Sequence, residues 1–202
     1  MKLIGSLTSP FVRKVRIALM EKSIPFELII DPPMEVGTKV PDYNPLGKIP
    51  VLIDSDESIW YDSDLLIEYL EVNYPQVALL PQDRRAALAV RKTLALADGV
   101  IDAGVLIYLE KRRSADKQDD AWIARQRGKI ESGLAALEKL AQGKIYLHNE
   151  TFSAADIVVG CIFPWLELRL PEIQWRAQYP ALAAFNAKLS ERPSFAQTVP
   201  SL

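Results

Sequence analysis

The chain has 202 residues, 49% apolar and 25% charged. That is close to the globular average of about 45–50% apolar, so one large or two small domains with a real core are expected, and a disordered chain is excluded. Lysine and arginine number 24 against 26 acidic residues, a net charge of −2, which excludes the strongly basic balance of a non-specific nucleic-acid binder.

One cysteine, Cys161, and one histidine, His148, leave no internal disulfide and no Cys/His zinc site to assemble. No metal is expected, and a single thiol fits a cytoplasmic setting. The N-terminal Met1-Lys2-Leu3-Ile4-Gly5 lacks the apolar stretch of a signal peptide. The longest apolar run, Ile157 to Leu166, falls well short of the roughly 20 residues that cross a bilayer. Neither a membrane nor a nucleic-acid partner is therefore expected.

Lys2 to Gly5 reads as a short strand, and Ser9-Pro10 opens a helix with Val12, Val15 and Leu19 on one side. Phe26 to Ile30 is a second strand. Residues 31–50 are rich in proline and polar side chains and read as loop with one short helix. Val51–Ile53 and Ser58–Tyr61 bracket Asp54-Ser55-Asp56-Glu57, a hairpin signal. Ser63 then opens and caps a third helix through about Val72. This βαβ, loop, ββα order predicts a sheet of mixed direction.

Two prolines within Pro75 to Pro81 break the pattern. Beyond them only helical spacing recurs: Leu94, Ala97, Ile101, Val105 and Tyr108, then Ile130, Leu134 and Leu137, then Leu182, Phe185 and Leu189. The expected division is a first domain at 1–78, a linker at 79–84 and an all-helical domain at 85–202. Thr151 to Ile157 carries a capping box, with Ser153 at N-cap, Asp156 at N3, and Phe152 and Ile157 as the hydrophobic staple. Cys161 reads as buried in an apolar helix.

Four segments in order resemble the soluble glutathione transferase family, in its serine-type, tau-like bacterial members. They are Ser9-Pro10-Phe11-Val12-Arg13-Lys14-Val15-Arg16, Asn44-Pro45-Leu46-Gly47-Lys48-Ile49-Pro50-Val51-Leu52, the pair Asp62-Ser63, and the box from Ser153 to Asp156. The resemblance covers nearly the whole chain. It implies a thioredoxin-like α/β N-terminal domain that binds glutathione as co-substrate, followed by an all-α C-terminal domain, in a homodimer. The activity implied is attack of the glutathione thiolate on a small apolar electrophile, or reduction of an organic peroxide. The family also contains glutathione-binding proteins with little activity and fold-retaining interaction modules.

On its own chemistry Ser9 is the natural cap of the first helix, and a hydroxyl that accepts a backbone N–H can still donate its proton. The resemblance implies that this proton goes to the bound thiolate; Thr8 is the rival hydroxyl. The resemblance further implies a cis Ile49–Pro50 bond that turns the Ile49 backbone toward the cysteinyl part of glutathione. It implies that Ser63 binds the γ-glutamyl carboxylate at a helix N-terminus and that Asp62 pairs with the amino group. Lys48 and Lys39 are candidates for the glycyl carboxylate, and Asp98 or Asp102 for a contact across the dimer. Phe11, Tyr108, Leu109 and Trp165 are candidate walls for the electrophile. Gly47-Lys48 lacks the glycine spacing and the following Ser/Thr of a P-loop, and no dinucleotide fingerprint is present.

Overall fold

Leu3 and Ile4 are both fully buried, so β1 (Lys2–Gly5) is covered on both faces, as a central strand must be. The computed structural model, which describes residues 1–148 and 151–201, orders the sheet β2-β1-β3-β4. β2 (Glu27–Ile30) runs parallel to β1, whereas β3 (Val51–Ile53) is antiparallel to β1 and β4 (Ile59–Tyr61) antiparallel to β3. This is the mixed sheet the strand pattern predicts.

A parallel pair needs a crossover, and α1 (Pro10–Glu21) provides it. α1 buries Val12, Val15, Ile17, Ala18 and Leu19. A Cβ at Gly5 would lie 2.5 Å from Val12 Cγ2, so the helix sits hard against the end of β1 and only glycine fits there. A short helix α2 (Val40–Tyr43) follows in the long loop, and α3 (Ser63–Asn73) packs on α1. At the hairpin, the Tyr69 hydroxyl donates to Asp54, and the Tyr69 and Trp60 rings lie 4.6 Å apart.

The chain forms two compact units, one of residues 1–80 with 192–202 and one of residues 81–191. The second contains α4 (Arg84–Lys111), a single 3₁₀ turn (Ala115–Lys117), α5 (Asp120–Ala141), α6 (Ala154–Arg169), α7 (Trp175–Gln178) and α8 (Pro180–Ser190). Asp83 and Asp119 cap α4 and α5 by accepting the Ala86 and Trp122 N–H groups. From Ile157 to Phe163 α6 is apolar and buried on every side, packing against α4 and α8, and only its last turns reach solvent.

The capping box of α6 forms as expected. Asp156 accepts the Ser153 N–H at 2.7 Å and hydroxyl at 2.9 Å on one oxygen, and the Leu147 N–H at 2.8 Å on the other. Burial pushes the Asp156 carboxyl up, and these hydrogen bonds oppose that shift. Cys161 is buried in the same helix. Among the described residues, no helix is long and apolar enough to cross a membrane.

One expectation is corrected. Residues 192–202 belong to the first unit, not to the helical one. α9 (Pro193–Ala196) lies on α1 and is held by charge. Arg192 pairs with Glu21 at 2.6 Å, Ser194 donates to the same carboxylate, and buried Arg13 donates to Thr198 Oγ1 and to the Phe195 carbonyl, both at 3.2 Å. Helical spacing gives no sign of such a return, because each of these contacts joins residues more than a hundred positions apart.

Candidate functional site

The sheet register gathers three sequence segments. Ile4 pairs with Val51 and Val51 with Tyr61. The residues after β1, before β3 and after β4 therefore leave the sheet at the same end. They are the loop to Ser9, the Ile49–Pro50 step, and Asp62-Ser63.

Ser9 is the N-cap of α1. Val12 N–H donates to its Oγ at 3.2 Å, and Pro10 occupies the first helical position, where a missing N–H costs nothing. The Ser9 hydroxyl proton donates to no group among the described residues. Thr8 takes no part in the cap.

The Ile49–Pro50 peptide is cis. The loop before it is organised by Asn44, the buried first residue of the loop motif. Asn44 Nδ2 donates to the Lys48 carbonyl at 2.8 Å, and its Oδ1 accepts the Leu46 N–H at 3.0 Å. Gly47 takes a φ of +61°, which glycine adopts at little cost. Neither the N–H nor the C=O of Ile49 makes a backbone hydrogen bond among the described residues. Lys48 and Lys39 are both exposed; Lys39 N–H donates to Asp31, and neither ammonium forms an ion pair among the described residues.

The start of α3 differs from expectation: Asp62, not Ser63, is the cap. Asp62 holds a φ of +75°, unusual for a residue with a side chain, and its Oδ1 accepts the Asp64 and Leu65 N–H groups, each at 3.0 Å. Ser63 thereby becomes the first helical residue, 8% exposed, and its N–H and hydroxyl have no partner among the described residues. An amide and a hydroxyl at the positive end of a helix suit an anion. The second Asp62 oxygen is likewise uncommitted among the described residues.

The remaining candidates divide. Phe11 is half-buried in the first unit, beside Lys14, whose ammonium lies 6.0 Å from the ring centre. Tyr108, in the second unit, is stacked by the guanidinium groups of Arg169 at 4.7 Å and Arg112 at 5.8 Å. Leu109 is exposed. Trp165 is corrected from pocket wall to core: it is 3% exposed, and a Cβ on Gly104 would lie 2.6 Å from its ring. Asp98 is half-buried and Asp102 exposed on α4. No cluster of metal-ligating side chains occurs among the described residues.

Two family models match the chain. The one described as the glutathione S-transferase N-terminal domain covers residues 8–73, and the one described as the C-terminal domain covers residues 120–185. YibF, an uncharacterized GST-like protein of Escherichia coli, is 41% identical over 99% of this chain and 98% of its own length. A glutathione S-transferase from Methylobacterium radiotolerans, solved in complex with glutathione sulfonate, is similar with a TM-score of 0.96 at 41% identity, over 100% of this chain and 95% of that one. Another from Methylobacillus flagellatus, solved with glutathione bound, is similar with a TM-score of 0.95 at 44% identity, over 99% of both chains.

Proposed function

Since this chain belongs to the glutathione S-transferase family, with its thioredoxin-like mixed sheet and helical second unit, we propose that it binds glutathione at the gathered end of the sheet and activates its thiol with Ser9. The observation that carries this reading is the unspent hydroxyl proton of Ser9 at a helix start. The peptide follows the free donors and acceptors. The cysteinyl backbone pairs with the N–H and C=O of Ile49 beside Pro50. The γ-glutamyl carboxylate meets the amide and hydroxyl of Ser63, and its amino group meets Asp62. Lys48 or Lys39 takes the glycyl carboxylate.

The magnitudes suffice without a histidine base. A thiol of pKa ~8.5 is only a few per cent ionised at neutral pH. Lowering that by about two units requires roughly 2.7 kcal/mol. A hydrogen bond to a charged acceptor contributes about 1.5–3 kcal/mol, and a helix N-terminus adds about 0.3–1 kcal/mol. The resulting thiolate attacks an electrophilic carbon, forming the C–S bond as a leaving group departs with the electron pair, or attacks an organic peroxide, breaking the O–O bond to release the alcohol and a glutathione sulfenic acid that a second glutathione converts to the disulfide and water; proximity supplies further acceleration. The family's dimeric assembly and cytoplasmic location are part of the same proposal.

The test is a pH titration of the bound glutathione thiol by its ultraviolet thiolate absorbance, in wild type and Ser9→Ala. A depressed pKa in wild type that returns toward the free value in the variant is expected. An equal pKa in both proteins removes Ser9 from the chemistry. If Thr8→Ala abolishes the shift while Ser9→Ala keeps it, the activating hydroxyl is Thr8.

A further inference from the structure

Lys14 is 1% exposed at its side chain, which is rare for a lysine, and lies one helical turn and a half beyond Ser9. Its ammonium donates to Asp64 Oδ1 at 2.6 Å. Asp64 is the second residue of α3, and its own N–H donates to Asp62 Oδ1 at 3.0 Å. A continuous polar chain thus runs from the first helix through Asp64 to the cap that turns Ser63 toward the end of the sheet. A buried cation needs a partner, since an unpaired charge of this kind is strongly disfavoured. The pair therefore fixes the first turn of α3 against α1, rather than decorating the surface as an exposed pair would.

We propose that Lys14 is a positioning residue for the γ-glutamyl half of glutathione, acting through Asp64 on Asp62 and Ser63. This rests on the reading that glutathione binds at this end of the sheet. Lys14 does not touch the peptide; it holds the helix start that does. Its loss therefore weakens recognition of the γ-glutamyl group and leaves recognition of the cysteinyl-glycine portion unchanged.

The experiment compares dissociation constants for glutathione, γ-glutamylcysteine and cysteinylglycine, measured by calorimetry or competition, in wild type, Lys14→Met, Lys14→Arg and Asp64→Asn. The Asp64 side chain is 46% exposed, so Asp64→Asn is a milder change should Lys14→Met fail to fold. The expected result is about tenfold weaker binding of the two γ-glutamyl peptides in Lys14→Met and Asp64→Asn, the scale of one modest polar contact. Cysteinylglycine is expected to bind as in wild type, and Lys14→Arg to restore the γ-glutamyl affinity. Equal weakening of all three peptides assigns the pair a general folding role and overturns the proposal, as does unchanged affinity throughout. Failure of wild type itself to bind glutathione overturns the underlying site instead.

Discussion

Arg13 and Thr198 stand 185 positions apart in the chain and 3.2 Å apart in space, the guanidinium Nε donating to the threonine Oγ1. The contact is buried, and the same guanidinium lies 5.6 Å from the centre of the Phe195 ring. Phe195 and Thr198 are therefore part of the N-terminal unit's interior. Phe195→Ala is expected to cost about 3 kcal/mol, the usual price of deleting a buried phenyl ring. Denaturant titration checks this, and a loss below the scatter of the measurement would mean that the strap is ornamental.

His148 is the single histidine, so its ring resonances identify themselves. Burial, aided by the neighbouring Lys144 ammonium, holds its pKa below the usual 6.5. A depressed value means that the neutral ring is favoured by the fold. Its contribution is present above about pH 6.5 and is lost as pH falls through the folded-state value. NMR titration is expected to give a midpoint below 6.5. His148→Gln is expected to lose less stability than wild type on acidification, while keeping a polar partner for Thr93 Oγ1, now 2.9 Å from Nε2.

Asp156 holds two segments together by accepting the N–H groups of Ser153 and Leu147. Asp156→Ala strands both donors in a buried setting, at an expected loss of about 2–4 kcal/mol from two unsatisfied groups. Thermal unfolding of the variant beside wild type measures it. A melting temperature unchanged within error would show that water replaces the carboxylate.

Asn44 is expected to act on the proposed glutathione site through its loop. Asn44→Ala removes the Nδ2 bond to the Lys48 carbonyl and the bond to Leu46 N–H, leaving the segment before Ile49 loosely held. Glutathione affinity is expected to fall about tenfold, one or two hydrogen bonds' worth of ordering, with the thiol pKa of the remaining complex unaltered. A changed thiol pKa would show that the loop also shapes the surroundings of Ser9.

What was legible in the sequence was local. The Ser9 cap, the Pro10 start and the Ser153–Asp156 box depend on neighbours within one helical turn, and each forms where the residues say. The strand pattern likewise gives β1 to β4 because its apolar runs and its hairpin are short-range signals. Asp62 and Ser63 both carry capping side chains, and backbone angles that a sequence does not display decide between them: at a φ of +75° Asp62 takes the cap, one residue before the expected Ser63. Nothing in the sequence sets Arg13 and Lys14 apart from an ordinary solvated charged pair on a helix. Partners at Thr198 and Asp64 reverse that. Trp165 follows helical spacing equally well as wall or core, and its place against Gly104 decides for core.

The return of residues 192–202 to the first unit also sets an order of assembly. A ribosome releases the N-terminus first, and domains usually fold as they emerge. Here residues 81–191 are in effect an insertion, complete and able to collapse while the surrounding unit still waits for its closing segment. The helix that carries Ser9 gains its Phe195 and Thr198 cover only after residues 81–191 have been made, so the end of the molecule proposed to hold glutathione is completed after the helical unit.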